Sequence, residues 1–290
     1  MKCKFCGKKA EFFLRQRKLY VCKADFFNFL ERKVERFIKK YRVKGKILVA
    51  ISGGKDSLAC LSLLSRFLKV SALHLNLGLG EFSKESQRIC KEFCKKEGID
   101  LILVNVKEEF KVSPKNFSRK KACSICGVIK RYLTNRIAFE NGFKIVATGH
   151  TADDLASMII LNFLSGNFDL LFRLKPYTEP SLDLKLVGKI KPLYNVLEEE
   201  TEFFCKLKGI EFVSVKCKFE RYASQTKIKE ILNDLTKDLP QIKLQIVSNF
   251  LNLAKNVKPE KPKLKFCKIC GYPTIRDVCR FCKLVKGYEN

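Results

Sequence analysis

The chain has 290 residues with 58 Lys and Arg, 30 Asp and Glu, 14 Cys, no Trp and a formal net charge of +28. This length predicts about one or two domains of ~150 residues, and the 46% hydrophobic content excludes a wholly disordered chain. A lysine-rich composition contributes to the charge, but self-repulsion of that size disfavours a compact state unless a polyanion screens it, which favours a nucleic-acid partner.

The start of the chain and its cysteines indicate a cellular compartment. Met-Lys-Cys-Lys stands where a secretory signal needs an apolar run, so we expect a cytoplasmic protein. In that reducing environment, Cys-x-x-Cys spacings point to metal ligands or redox chemistry before disulfides. The longest apolar stretch, 158–164, is well short of the ~18 residues that span a membrane, so no membrane partner is expected.

Composition divides the chain into four predicted segments. Residues 1–24 predict an N-terminal zinc knuckle, and residues 25–254 a catalytic domain. Residues 255–265 hold two prolines in a lysine run and predict a solvated linker. Residues 266–290 predict a second knuckle.

The first segment supplies three thiols, from Cys3, Cys6 and Cys22. Asp25, three residues after the last of them, is the nearest candidate for a fourth ligand. A carboxylate oxygen can ligate zinc, although three thiolates with one carboxylate form an unusual set. The segment therefore predicts a zinc site that depends on Asp25.

From residue 25 onwards, an amphipathic helix at 25–41 precedes an alternation of strands and helices. The predicted strands are 46–51, 70–77, 100–106, 143–148 and a strand-like stretch at 211–215, and the predicted helices are 58–69, 83–97, 126–140 and 153–164. This alternation is typical of a parallel sheet with right-handed crossovers. We predict a doubly wound α/β core.

The turn Ser52-Gly53-Gly54-Lys55-Asp56-Ser57 follows the first of these strands and opens a helix. Backbone N–H groups and the positive helix end can hold an anion there, two glycines allow close approach, and Lys55 adds a point charge. The spacing matches neither a Walker A loop nor G-x-G-x-x-G, so P-loop NTPase and Rossmann dehydrogenase interpretations fail. The turn predicts a phosphate site of another kind.

Three cysteines in the middle of the chain form a second candidate site. Cys123 and Cys126 are predicted to open a helix, whose N-terminus and the basic residues beside it should lower the thiol pKa values, and Cys217 lies far along the chain. Three thiolates are one short of a closed zinc site or a fully ligated cluster, which leaves an open position for chemistry. A zinc site with an unrecognised ligand, or unconnected packing cysteines, stays open as an alternative.

Polar residues also follow the predicted strand 143–148, in Gly149-His150-Thr151-Ala152-Asp153-Asp154. An Asp at a helix start is most often a cap, but this position falls at the same sheet edge as the phosphate loop. Asp154 is therefore a candidate for holding Mg²⁺ or positioning a substrate. At the C-terminus, Cys267, Cys270, Cys279 and Cys282 form two Cys-x-x-Cys turns, a strong four-cysteine zinc signal.

The order of these motifs resembles that of the TtuA-type tRNA 2-thiouridine synthetases, a family of the N-type ATP pyrophosphatase (PP-loop, HUP-like) superfamily. The matching residues are Cys3-x-x-Cys6, Cys22, Ser52 to Ser57, Cys123-x-x-Cys126-Gly-x-x-Lys130-Arg131-Tyr132, Ala147-Thr-Gly-His-x-x-Asp-Asp154, Lys191-Pro192-Leu193, Cys217 and the closing knuckle. The resemblance implies adenylation of the C2 oxygen of a tRNA uridine and its replacement by sulfur at a 4Fe-4S cluster.

The resemblance also implies roles for individual residues. ATP, with Mg²⁺, would contact Ala50, Ser52, Gly53, Gly54, Lys55, Asp56, Ser57, Leu75, Lys130 and Gly149. Catalysis would use Lys55, Lys130 and Asp154, and the cluster would be held by Cys123, Cys126 and Cys217. One zinc ion would be held by Cys3, Cys6, Cys22 and Asp25, and a second by Cys267, Cys270, Cys279 and Cys282. The implied partners are tRNA and a ubiquitin-like protein with a thiocarboxylate end as sulfur donor, and a homodimer is left open.

Two positions depart from the family pattern: Asp25 stands where the family usually has His, and Thr151 where it has Asn. The motifs favour tRNA position 54 weakly over position 34. Two other functions stay open: a tRNA 2-thiocytidine synthetase, which shares the loop and the cluster but not the terminal knuckles, and a non-catalytic zinc-dependent RNA-binding protein. Release of AMP and pyrophosphate with tRNA separates the last of these from an enzyme.

Overall fold

The computed structural model describes residues 1–257 and 262–286, with the side chains of all of these except Lys120 and Arg221. The helices are α1 (Lys23–Lys40), α2 (Lys55–Leu64), α3 (Glu81–Glu97), α4 (Val106–Phe110), α5 (Arg119–Glu140), α6 (Ala152–Leu164), α7 (Phe168–Phe172), α8 (Glu198–Lys208), α9 (Ser224–Leu235), α10 (Ile242–Leu253) and α11 (Arg280–Val285). The strands are β1 (Phe12–Leu14), β2 (Leu19–Val21), β3 (Ile47–Ile51), β4 (Val70–Asn76), β5 (Leu101–Asn105), β6 (Ile145–Thr148), β7 (Tyr177–Thr178), β8 (Gly188–Ile190), β9 (Lys265–Phe266) and β10 (Pro273–Thr274).

The central sheet has six strands in the order β5-β4-β3-β6-β8-β7. All neighbours pair in parallel except β7, which runs antiparallel at the edge. The chain reverses its direction of travel across the sheet between β3 and β6, and such a switch point leaves a crevice at the carboxyl ends of the strands. The predicted doubly wound α/β fold is confirmed, with an antiparallel edge strand that was not foreseen.

Helices cover both faces of the sheet. On one face α1, α2, α3 and α8 pack around Leu61, Phe26 and Phe204, all fully buried. On the other face α5 packs through Ile129 and Leu133 on β4 and β6 residues. A third cluster joins α6, α7, α9 and α10 beside the sheet. Together these layers fix the ends of β3, β4 and β6 relative to one another.

The terminal segments are built as small hairpins that pack on the core. β1 pairs with β2, and Phe12 contacts Phe203 of α8 with ring centroids 4.2 Å apart. At the other end, β9 pairs with β10, and Phe281 of α11 stacks on Tyr132 of α5 at 4.1 Å. The domain boundaries stay predictions, and residues 258–261 of the predicted linker lie outside the described residues.

Three predictions about local structure are wrong. Helix α2 spans Lys55–Leu64 and not 58–69, so Lys55 lies within its first turn. Helix α5 begins at Arg119 and not near Cys126, because its first turn already closes onto Ser118, whose carbonyl accepts the N–H groups of Lys121 and Ala122. The stretch 211–215 is extended but pairs with no strand of the described chain; its Val213 N–H donates to the Gly53 carbonyl at 2.9 Å.

Candidate active site

The phosphate loop lies between β3 and α2, where the first N–H groups of the helix have no intrahelical acceptor. Gly54 caps the helix in an extended conformation, and Gly53 adopts φ +77°, which favours glycine. Ser57 closes the loop, since its Oγ donates to the Gly54 carbonyl at 2.9 Å and accepts the Ser52 N–H at 3.1 Å. The loop is therefore a preformed turn of backbone donors of the kind that holds phosphate oxygens.

Gly149, after β6, packs directly on this loop. A Cβ atom at Gly149 would lie 2.6 Å from the Asp56 carbonyl oxygen and 2.8 Å from the Ser57 Cα. The segment after β6 and the first turn of α2 can approach this closely only because position 149 has no side chain. Of the other residues implied in ATP binding, Ala50 lies in β3 and Leu75 in β4, the strands on which the loop is built.

Asp154 lies on the first turn of α6 and has two sets of partners. Its Oδ2 accepts the Thr151 N–H at 3.0 Å and its N–H donates to the Thr151 Oγ1 at 3.4 Å, which forms a capping box. Its Oδ1 accepts the Lys229 ammonium at 2.6 Å. Asp154 is thus both a helix cap and a member of a charged network, and Thr151 serves as the cap.

The charged network connects four helices and includes residues that the sequence analysis missed. Lys229 of α9 bridges Asp154 and Glu198, and Lys55 pairs with Asp56 at 3.0 Å and with Glu198 at 4.0 Å. Thr201 of α8 donates a hydrogen bond to Asp56. Neither Glu198 nor Lys229 lies in a motif, so only the fold reveals them.

Burial shapes the acidity of these groups. Desolvation raises the pKa of Asp56 and of Glu198, although Lys55 opposes it at the first and Lys229 at the second. Burial alone would lower the pKa of Lys229, but Asp154 and Glu198 outweigh it and raise the pKa above its usual range. Lys229 therefore keeps its positive charge between the two carboxylates.

Asp153, next to Asp154, is a structural residue. It is 4% exposed, accepts the Glu198 N–H at 2.8 Å and forms a buried ion pair with Lys243 of α10. A buried charge is stable only when paired and hydrogen-bonded, as here. Asp153 holds the start of α8 against α6 and thereby positions Glu198.

The three middle cysteines lie near one another. Cys123 lies in the second turn of α5, and its Sγ donates to the Phe219 carbonyl at 3.3 Å, two residues beyond Cys217 in the chain. The charges of Cys126, Cys217 and Lys130 all act on Cys123. The expectation of a lowered thiol pKa is wrong for Cys123: burial and the neighbouring thiols raise it. Cys123 is one turn inside the helix, beyond the reach of its N-terminal N–H groups.

Lys130 lies on α5 between the thiols and the strand ends. Burial lowers the pKa of His74 and of His150, and the charge of Lys130 adds to the effect at both. Lys130 is exposed, so its ammonium is available to an anionic substrate. The Nε2 of His74 is buried with no hydrogen-bond partner in the described chain, while its Nδ1 lies 3.1 Å from the Ile51 carbonyl.

Two further groups of ligand atoms lie within 4.8 Å of one another: Cys3, Cys6, Cys22 with Asp25, and Cys267, Cys270, Cys279 with Cys282. The thiols of Cys6 and Cys22 are 3.7 Å apart, as are those of Cys270 and Cys279. The Asp25 Oδ2 accepts from Cys3 at 3.1 Å and from Cys22 at 3.3 Å. Each group brings four ligand atoms close enough together to hold a metal ion, and the first group includes Asp25.

Within residues 1–257 and 262–286 we find no helix both long and apolar enough to cross a membrane.

Comparison with known proteins identifies the family. Residues 28–230 match the PP-loop domain family model. The chain is 37% identical to the tRNA-5-methyluridine(54) 2-sulfurtransferase of Pyrococcus horikoshii, over 98% of this chain and 93% of that protein. It is 38% identical to the enzyme of the same name from Thermotoga maritima, over 100% of this chain and 98% of that protein.

A solved structure agrees with this assignment. The U34-tRNA thiolase NcsA from Methanococcus maripaludis, determined with its [4Fe-4S] cluster, superposes with a TM-score of 0.83 at 27% identity, over 99% of this chain and 96% of that one. The two relatives and the solved structure are all named as tRNA thiolases, and each matches this chain nearly end to end. The chain belongs to the PP-loop family of tRNA 2-sulfurtransferases.

Proposed function

We propose that this enzyme thiolates C2 of the uridine at position 54 of tRNA, with ATP and Mg²⁺, and with sulfur delivered at a 4Fe-4S cluster. The observation that carries the proposal is the grouping of Cys123, Cys126 and Cys217 near Lys130: the Cys123 Sγ bonds to the Phe219 carbonyl, two residues from Cys217, and the charges of all four act on one another. Position 54 is favoured because the relatives at 37% and 38% identity are named for it, whereas the structure named for U34 is 27% identical.

The reaction divides into two displacements. In the first, the uridine O2 attacks the α-phosphorus of ATP, an O–P bond forms, and pyrophosphate leaves. In the second, sulfide forms the C2–S bond, the C2–O bond breaks, and AMP leaves with the oxygen. Adenylation is needed because a urea-type carbonyl oxygen is a poor leaving group by itself.

The chain's own residues serve the first displacement. The loop N–H groups and Lys55 neutralise the charge that develops on the departing pyrophosphate. Lys130 is proposed to hold the α-phosphate toward the uridine. Mg²⁺ prefers carboxylate oxygens, and Asp154 with Glu198 beside it would hold the ion that accompanies ATP.

The three middle thiols fit a cluster better than a single ion. They are not among the groups whose ligand atoms all lie within 4.8 Å, so at least one of their separations is wider than in the two terminal sets. A 4Fe-4S cluster held by three thiolates has one iron free of protein ligands, and that iron can carry sulfur to a substrate. Lys130 would then lie between the sulfur source and the adenylated uridine.

The terminal sets fit zinc. Four ligands at a Zn–S distance of ~2.3 Å place neighbouring sulfurs about 3.8 Å apart in a tetrahedron. One sulfur pair in each set, Cys6 with Cys22 and Cys270 with Cys279, is 3.7 Å apart. We propose one zinc ion in each set. We also propose a cytoplasmic enzyme, since in that reducing environment cysteines serve as metal ligands more often than as disulfides. A ubiquitin-like thiocarboxylate protein as sulfur donor rests on the family resemblance alone.

The decisive test separates the two displacements. Anaerobically reconstituted wild-type protein, a tRNA transcript, ATP and sulfide should yield pyrophosphate, AMP and 2-thiouridine. A Cys123→Ala variant should lose iron and thiolation, but still release pyrophosphate in a single turnover and bind tRNA as wild type. Cys94→Ala, a buried cysteine on α3, is the matched control and should keep its iron.

Each rival function predicts a different outcome. A non-catalytic RNA-binding protein would bind tRNA without tRNA-dependent release of pyrophosphate. A 2-thiocytidine synthetase would place sulfur on cytidine and leave uridine unchanged. Loss of tRNA affinity in Cys123→Ala in step with activity would mean that the cysteine is structural.

A further inference from the structure

A basic groove lies away from the phosphate loop, between α1, the N-terminal hairpin and residues 192–196. It encloses a cavity of about 450 Å³, within the size range of ligand sites. Five basic side chains line it: Lys4, Arg32, Lys33, Arg36 and Lys40. Among its described lining residues only Asp25 is acidic, and that carboxylate accepts from Cys3 and Cys22.

The basic side chains form a stripe along one side of α1. Arg32, Arg36 and Lys40 are spaced four residues apart, so they recur about every 6 Å along the helix and share one face. All three are exposed. Two acidic residues of the same helix are paired: Glu31 with Arg66 and Glu35 with Lys39, although the charges of Arg32 and Arg36 also act on Glu35. The groove therefore carries surplus positive charge.

The base of the groove is rigid. Lys33 donates to the Asn195 carbonyl at 2.9 Å and lies 4.8 Å from the centre of the Phe29 ring. Arg17 donates to the same carbonyl at 2.8 Å and pairs with the buried Glu200. Burial, with a smaller contribution from the charge of Arg17, lowers the pKa of Lys33 to about 8.

The groove also shares a wall with the candidate active site. Val196 lines the groove, and its carbonyl accepts the N–H of Ala152, the first residue of α6, at 2.8 Å. Asp154 lies two residues further along that helix. One backbone segment thus lies between the groove and the site, so the two are neighbours.

We propose that this groove binds the phosphodiester backbone of tRNA and anchors it beside the active site. The inference rests on the proposed function for the identity of the RNA. A single phosphate meets one or two of the spaced cations, whereas an extended polyanion meets all of them. The formal charge of +28 favours the same class of partner.

The test uses the double variant Arg32→Ala and Arg36→Ala in the full chain. Alanine is the strongest helix former and both positions are exposed, so α1 should persist. The control is Lys91→Ala with Lys95→Ala on α3, two exposed lysines with the same spacing and the same charge change.

Binding of a tRNA transcript is measured by fluorescence anisotropy as salt is varied. Each lost phosphate contact removes ~0.7 to 0.9 from the slope of log K against log salt, so the variant should lose about 1.4 to 1.8 from the slope and roughly tenfold or more in affinity. The control should change its affinity less than about twofold, and MgATP affinity should be unchanged in both.

Three results would contradict the proposal that the groove binds tRNA. The first is unaltered tRNA affinity in the variant, and the second is an equal loss of tRNA affinity in the control. The third is retained tRNA affinity with loss of binding to an acidic ubiquitin-like protein, which would make that protein the partner of the groove. If wild-type protein binds tRNA without thiolating it, the proposed function is contradicted but the proposal that the groove binds tRNA is not. Wild-type protein that does not bind tRNA contradicts both.

Discussion

Lys229 is the cation on which the candidate site depends. It lies between Asp154 and Glu198. Its positive charge offsets the repulsion among these two carboxylates and that of Asp56. Because the site is largely shielded from water, removal of the cation leaves carboxylates that favour the protonated form. Sequence motifs give no sign of this role, since a lysine in a polar helix resembles any surface lysine.

We expect Lys229→Ala to lower kcat/KM for tRNA thiolation by at least about tenfold, with ~1–3 kcal/mol lost from the free energy of unfolding as paired groups lose their partner. Lys229→Arg should restore much of the stability. Lys227→Ala, an exposed lysine on the same helix, is the control and should behave as wild type in both measurements. Equal activity of the Lys229→Ala and Lys227→Ala variants would show that Lys229 does not contribute to the site.

A substitution at Gly149 tests the close contact between the segment after β6 and the first turn of α2. Gly149→Ala places a Cβ 2.6 Å from a backbone oxygen that cannot move like a side chain. Shifting the loop should reduce kcat/KM for ATP by about 10- to 100-fold and cost ~1–3 kcal/mol of stability.

The control for this prediction is Gly127→Ala. There the nearest atom to a new Cβ is the Nη1 of Arg131 at 2.9 Å, the end of a flexible side chain, and Gly127 lies inside α5 where alanine favours the helix. ATP titrations should therefore show normal affinity for Gly127→Ala. Equal ATP affinity in both variants would contradict the proposed contact.

Single residues were predictable where their type and spacing are rare. Paired Cys-x-x-Cys turns and a Gly-Gly-Lys turn after a buried strand have few explanations, and their members come together in the structure. Asp25 was predicted because it was the nearest oxygen ligand to Cys22. Glu198 and Lys229 could not be found, because they reach the site from separate helices through the tertiary fold alone.

Helix α5 connects three parts of the molecule. Its first half carries Cys123 and Cys126, its middle carries Lys130, and its outer side packs on the C-terminal knuckle through Tyr132. The Tyr272 hydroxyl of the knuckle also donates to Glu140 at 3.1 Å. The knuckle therefore supports the helix that holds two of the proposed cluster ligands.

Loss of this packing should weaken the cluster site. Phe281 is 4% exposed, so Phe281→Ala should cost ~3–5 kcal/mol of stability and lower the iron content after reconstitution. Ile275→Ala, a 61% exposed residue of the same knuckle, should change neither. Calorimetry and iron analysis measure the two effects, and full iron content in Phe281→Ala would show that α5 is held without the knuckle.

Regular elements were predictable when their pattern was long. The strands β3, β4, β5 and β6 and the helix α3 appear within a few residues of their predicted positions. The strands β7 and β8 are two and three residues long, too short to show a period. The start of α5 was missed because Arg119 to Lys121 lack an apolar stripe, and 211–215 was misread because its apolar residues pack beside the loop.

The overall charge makes a prediction about the complete enzyme and tRNA. With a net charge of +28, binding should be dominated by release of counterions from the RNA. Even about three phosphate contacts predict an affinity for tRNA roughly a hundredfold weaker at 0.5 M than at 0.1 M salt. Titrations at both salt concentrations measure this, and an affinity that stays constant would mean that the charge reflects composition alone.

The phosphate loop lies between β3 and α2, and a basic groove lies on the other side of the segment 192–196 from α6. Mapping of 2-thiouridine in a tRNA transcript tests this account most directly, by mass spectrometry of nuclease fragments after anaerobic reaction with ATP and sulfide. The account predicts sulfur at position 54 with wild-type protein and none with Cys123→Ala. Transcripts without sulfur on any uridine, or with sulfur on cytidine, would contradict it.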